Sequence, residues 1–164
     1  MKARFNSETI DPNLPGIVVL SHGPLASALL DSAALLNMGD LQNAAAFCLE
    51  EGDDLDAYRT AFVGAMRSFP AGCLVFVDIF GGSPSNQLMI ASQSEEGIGE
   101  VYAVAGVNLG MLLEASLMRE GITCQELHAQ VVDGAAISIV DMTEKIRELV
   151  SSVEADDEEE EEDD

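Results

Sequence analysis

Two short turns hold the residues that can do chemistry. One is His22-Gly23-Pro24, which ends the apolar, β-branched run Gly16 to Ser21 (GIVVLS). The other follows Cys73 to Val77 (CLVFV): Asp78, then Ile79-Phe80, then Gly81-Gly82-Ser83-Pro84. A histidine facing a carboxylate has a fixed tautomer. The bonded ring nitrogen keeps its proton and the other is free as a nucleophile. Adjacent glycines let the backbone approach an anion closely and adopt positive φ. Ser83 suits a helix N-cap and Pro84 a first helical residue, and the open N–H groups at such a helix start favour an anion. Together these residues describe a histidine, His22, that can carry a phosphoryl group, with Asp78 orienting it.

Alone, a histidine at a strand–helix junction or a G-G-S-P turn is ordinary structure. What points to a site is the convergence of both turns on one sheet edge. The turn is not a dinucleotide fingerprint, a P-loop or a G-x-S-x-G nucleophile elbow, because its serine follows two adjacent glycines and no lysine accompanies it. His128 reads as a surface residue, Asp133 and Asp141 have no assignable partner, and Met66, Met89, Met111 and Met118 read as core filler.

The elements that bring the turns together follow from periodicity. Gly16–Ser21 suits a strand buried on both faces, and the Ala- and Leu-rich Leu25–Met38 a helix ended by Gly39. Ala44–Leu49 is a second strand. Asp53 and Asp54 suit a helix N-terminus, and Leu55, Tyr58, Phe62 and Met66 recur at helical spacing. Cys73–Val77 is the strongest strand, followed by a helix over Pro84–Gln93. Glu100–Ala105 is a fourth strand, and Leu109, Leu112, Leu113 and Leu117 mark the apolar face of the next helix, closed by Gly121. The alternation βαβαβαβα means a parallel sheet with right-handed crossovers and helices on both faces. Thr123–Val132 reads as helix and Thr143–Val150 as another. Between them, Ala136–Val140 (AISIV) fits either a continued helix or an edge strand. In such a sheet, ligands bind at the carboxyl ends of the strands where strand order reverses. With the first strand central, His22 and Asp78 end on neighbouring strands despite their separation in sequence.

The chain has 164 residues, enough for one domain with a core. Its formal charge is −23, and ten of its thirty acids lie between Glu154 and Asp164. Residues 1–15 read as a flexible arm, 16–150 as the domain and 151–164 as a disordered acidic tail. An acidic domain argues against nucleic acid as a partner. Cys48, Cys73 and Cys124 are widely spaced and read as buried thiols in a reducing compartment. There is no membrane-length apolar run and no signal-peptide pattern at the start, so a cytoplasmic protein is expected.

Three stretches, VVLSHGPLASALL (Val18–Leu30), VFVDIFGGSPSN (Val75–Asn86) and AVAGVNLGMLLEA (Ala103–Ala115), together resemble the mannose-family enzyme IIA domain of the bacterial phosphoenolpyruvate-dependent sugar phosphotransferase system. The resemblance spans roughly Gly16 to Val150. It implies a doubly wound open α/β sheet, four parallel strands in order 2-1-3-4 plus an antiparallel fifth edge strand, exchanged between the subunits of a homodimer. That favours a strand at Ala136–Val140. It implies that His22 takes a phosphoryl group from the phosphocarrier protein HPr and passes it to a IIB subunit. The IIB subunit in turn phosphorylates sugar entering through the membrane IIC/IID complex. It further implies that Asp78 orients His22, and that Gly81, Gly82 and Ser83 bind the phosphoryl oxygens. Neither a metal nor an organic cofactor is implied, since the donor group is already activated. Two other readings of the same fold are a phosphotransfer subunit of a dihydroxyacetone kinase, which lacks the G-G-S-P turn, and a regulatory module without turnover. The chain departs from the pattern at Ile79, where a polar residue is common, and at Gly110, where proline is.

Overall fold

The computed structural model describes residues 1–37, 39, 41–94 and 98–162. The strands are β1 (Lys2–Phe5), β2 (Gly16–His22), β3 (Ala44–Leu49), β4 (Cys73–Val77) and β5 (Tyr102–Ala105). The helices are α1 (Leu25–Leu36), α2 (Leu55–Arg67), α3 (Ser83–Ser94), α4 (Leu109–Met118), α5 (Cys124–Ala135) and α6 (Met142–Glu162). One sheet results, in order β1-β3-β2-β4-β5. The four strands β3-β2-β4-β5 are parallel, and β1 pairs antiparallel with β3. The four parallel strands stand in the expected order.

Alternate residues of the strands feed two cores, as the period of two requires. Val18, Leu20, Phe47, Val75 and Val77 pack with Tyr58 and Phe62 of α2 and Leu88 of α3. Ile17, Val19, Cys48, Leu74 and Phe76 pack with Leu30 of α1, Leu112 of α4 and Leu127 of α5. Helices thus cover both faces, which is why the strands read as unbroken apolar runs. Helix α2 is capped by Asp54, which accepts from Asp56 and Ala57 N–H, and α5 by a Thr123–Glu126 capping box. All three cysteines are buried free thiols.

Within the single chain, Ala136–Val140 adds no strand to the sheet. Residues 136–138 form a turn and 139–140 are irregular, so that segment is neither strand nor continued helix. The antiparallel strand is β1, on the opposite edge. There it pairs with β3 and covers what would otherwise be an open edge of that strand. Lys2 pairs with Glu50 and Arg4 with Asp31. Phe5 meets Phe69 edge-on at 5.6 Å. The following loop is tied by Asn43, whose side chain bonds the main chain of Asp11 and Leu14. Residues 1–15, expected as a flexible arm, therefore carry a strand and a pinned loop.

Other boundaries moved for local reasons. Helix α1 ends at Leu36, and Met38, expected to close it, lies outside the described residues. In α4 the buried residues are Met111, Leu112 and Ala115, while Leu117 is exposed. Met66 and Met111 are buried as expected, but Met89 and Met118 are exposed. The expected acidic tail is helical as far as Glu162, with Asp141 at its start accepting from Thr143 and Glu144 N–H. Asp163 and Asp164 lie outside the described residues.

Candidate functional site

Strands β2 and β4 are neighbours in register, with Leu20 opposite Val77. His22 and Asp78 therefore leave the sheet side by side. Asp78 extends the ladder by donating its N–H to Leu20 O at 3.2 Å. Its carboxylate then does three things. Oδ2 lies 2.8 Å from His22 Nδ1, Oδ2 also accepts from the His22 N–H at 2.8 Å, and Oδ1 accepts from the Ile79 N–H at 2.8 Å. Asp78 is thus held by two main-chain donors, and it holds the ring of His22 through Nδ1. The carboxylate can only accept, so Nδ1 carries the proton and Nε2 presents its lone pair.

The backbone around His22 is fixed from behind as well. Ser21, fully buried, accepts the Ala26 N–H on its Oγ at 2.8 Å. That bond serves the start of α1, whose capping residue Pro24 makes no side-chain cap. Gly23 N–H bonds Leu49 O at 2.7 Å, tying the turn to the end of β3. The imidazole itself remains half-exposed, at 47%, against 11% for the Asp78 side chain. The ring is thus accessible from solvent, while the carboxylate that holds it is largely shielded.

The free side of the ring faces the glycine turn. A Cβ at Gly82 would lie 2.6 Å from His22 Cε1 and 3.4 Å from Nε2, so only glycine lets ring and turn sit together. Gly81 takes φ of +83°, the left-handed conformation that favours glycine. Gly82 O accepts the Asn86 N–H, which makes Gly82 the capping position of α3 and Ser83 its first residue. This shifts the expected cap by one position, from Ser83 to Gly82. The first N–H groups of α3 have no intrahelical acceptor, and this helix start, where the dipole favours negative charge, lies next to the ring: a Cβ at Gly82 would stand 3.4 Å from Nε2.

Two residues that sequence reasoning passed over hold this turn in shape. Ser85 Oγ accepts the Gly81 N–H at 3.2 Å, and Asn86 Nδ2 donates to Gly81 O at 3.2 Å. Their signal was the continuation of the turn as S-P-S-N. A further wall was also missed. An open cleft of about 600 Å³ lies beside His22 and Ser83, bounded by the acidic turn Glu50–Asp53. Next to it Ile79 and Phe80 are 59% and 76% exposed, so the ring stands between an acidic wall and an apolar lip.

His128 lies apart, its ring 5.9 Å from that of Tyr102. Among the described residues, no cluster of His, Cys, Asp and Glu is arranged to hold a metal ion, and no helix is long and apolar enough to cross a membrane.

Residues 16–132 match the family described as PTS system fructose IIA component. The chain is 27% identical over 113 residues to the PTS system fructose-specific EIIA component of Bacillus subtilis, covering 68% of this chain and 75% of that protein. Among solved structures, the phosphotransferase system component EIIA from Streptococcus agalactiae superposes with a TM-score of 0.72 at 25% identity, over 79% of this chain and 98% of that one. The mannose/sorbose-specific IIA subunit from Enterococcus faecalis superposes with a TM-score of 0.65 at 26% identity, over 78% and 94%.

Proposed function

The chain belongs to the PTS system fructose IIA component family, a family of sugar phosphotransfer proteins, and on that premise we propose that it is a phosphocarrier whose phosphoryl group rides on Nε2 of His22. The group comes from phospho-HPr and goes to a IIB subunit, which serves sugar uptake through membrane IIC/IID subunits. The protein works in the cytoplasm. The observation that carries this reading is the 2.8 Å bond between His22 Nδ1 and Asp78, with the Nε2 side of the ring open to the Gly81-Gly82-Ser83 turn.

The step balances simply. The Nε2 lone pair attacks phosphorus in line, the P–N bond to the donor imidazole breaks, and the donor nitrogen leaves with its electron pair. Nδ1 keeps its proton, and Asp78 stabilises the positive charge that develops across the ring. The N–H groups at the start of α3 and the Ser83 hydroxyl hold the equatorial oxygens, so rate enhancement is mostly positioning and electrostatics. The reverse step, with the acceptor as nucleophile, uses the same contacts. Ile79 offers no side-chain hydrogen bond to the phosphoryl group, so main-chain donors carry that task here.

The functional form is a homodimer in which residues 136–140 of each copy add an antiparallel strand to β5 of the other. In favour of this, among the described residues β5 pairs with β4 alone, and Ile137, Ile139 and Val140 are 78%, 79% and 54% exposed. The test of phosphotransfer is incubation with phosphoenolpyruvate, enzyme I and HPr. An acid-labile phosphate appears on the native chain and none on His22→Ala. Equal labelling of the two sinks the proposal.

A further inference from the structure

The segment that the dimer needs is held on its own subunit by an arrangement of small residues. Helix α4 carries Gly110 where the turn at 136–138 crosses it. A Cβ at Gly110 would lie 2.9 Å from Ser138 Cβ, closer than carbon atoms pack. Ser138 Cβ is attached directly to the backbone, so relief requires the turn itself to move. On the other side, Gly134 of α5 lies against the Glu114 carboxylate of α4, where a Cβ would stand 2.3 Å from its oxygens and displace that side chain. Polar bonds complete the seat. Asn108 Nδ2 donates to Ser138 Oγ at 3.2 Å, Ser138 Oγ donates to Ala135 O at 2.8 Å, and Ile137 N–H bonds Gly134 O at 2.9 Å.

The seat satisfies the backbone and the serine but not the apolar side chains. Ile137 and Ile139 stay in water at 78% and 79% exposure. Extended, the same five residues would put Ile137 and Ile139 on one face of a strand, as period-two packing on a core demands. Strand β5, four residues long, presents an open edge of matching length. One segment therefore has two homes whose demands differ: the seat rewards glycine and serine, and the edge rewards isoleucine.

We infer that the α4 seat built by Gly110, Asn108 and Ser138 competes with the β5 edge of a second copy for residues 136–140, and so sets how tightly this protein dimerises. The inference rests on the homodimer proposed above and adds the element that gates it. Each copy must vacate its own seat before exchange, so the apparent dissociation constant scales with the inverse square of the released fraction. A roughly tenfold rise in that fraction tightens the dimer about a hundredfold.

Gly110→Ala is the probe. Gly110 lies within α4 at ordinary helical φ, where alanine is the better helix former, so the change spoils the seat without unwinding the helix. Ser138→Ala, which removes the bond to Asn108 without adding bulk, is the second variant. Sedimentation equilibrium over a concentration series reads the dimer constant, and amide exchange at Ile137 in dilute protein reads the seat. The expected result is faster exchange at Ile137 in both variants, and a dimer at least about tenfold tighter in Gly110→Ala, with a smaller shift in the same direction for Ser138→Ala. A native dimer whose constant neither variant tightens, or unchanged exchange at Ile137, overturns the inference and leaves the dimer standing. A native chain and variants that all stay monomeric overturn the dimer, and the competition with it.

Discussion

Gly82→Ala tests the site geometry with a single methyl group. The added Cβ would stand 2.6 Å from His22 Cε1, 3.1 Å from Ile79 Cγ2 and 3.4 Å from His22 Nε2. Ordinary contact requires at least 3.4 Å, so the ring has to retreat by about 1 Å. The backbone gives no objection of its own, since Gly82 is absent from the residues with positive φ. The imidazole is half-exposed and can swing outward, which keeps the stability loss near the low end of overpacking, about 1 kcal/mol. Transfer has no such escape. A 1 Å displacement of a reacting group costs about a hundredfold in rate, or about 2.7 kcal/mol in the barrier. The assay is the rate of phosphoryl uptake from phospho-HPr, measured beside a thermal melt. The expected outcome is a rate loss far larger than the small fall in Tm explains. A variant within about threefold of the native rate would refute the claim that ring and glycine turn act as one site.

Asp78→Asn keeps the size of the side chain but lets it donate to Nδ1, which selects the other tautomer. Uptake on His22 should fall by about 10²- to 10⁴-fold, and histidine ¹⁵N shifts should show the proton moved to Nε2; an unchanged tautomer would argue that Asp78 does not orient the ring. Ser21→Ala removes the acceptor for the Ala26 N–H and should cost about 1 kcal/mol in denaturant unfolding, with a smaller effect on uptake. Arg119→Met removes a buried guanidinium that donates to Pro15 O, Gln42 O and Asn43 O, and should cost about 2–4 kcal/mol while leaving the His22 tautomer intact. Burial pushes the Cys73 thiol up to about 12 and the Cys124 thiol up to about 11. Both thiols keep their protons in the fold while the unfolded chain releases them from about pH 8.5. Stability should therefore fall as pH rises through that value toward 11, and Cys73→Ala should flatten the slope by about 1.4 kcal/mol per pH unit; an unchanged slope would contradict it.

The fold was legible where burial imposes one pattern on both faces of a strand. Ile17–Leu20 and Leu74–Val77 are buried throughout, so their apolar runs could mean little else. The pairing of His22 with Asp78 followed from topology, because a doubly wound sheet makes its central strands neighbours. What escaped the sequence depends on edges and on contacts between loops. Lys2–Phe5 alternates charged and apolar residues over only four positions, too few to separate an edge strand from a loose arm. Ala136–Val140 carries a strand pattern, yet residues 136–138 form a turn and 139–140 are irregular, so alternation over five residues did not decide the conformation. The cap of α3 falls on Gly82, one residue before the Ser83 that turn chemistry favours.

The central claim is that one nitrogen of one side chain carries the phosphoryl group. Its most direct measurement is the ³¹P and ¹⁵N NMR spectrum of histidine-labelled protein after incubation with phosphoenolpyruvate, enzyme I and HPr. The account predicts one phosphoramidate whose phosphorus couples to Nε2 of His22, with Nδ1 still protonated against Asp78. Phosphorus on Nδ1, on His128, or on no histidine at all would contradict it.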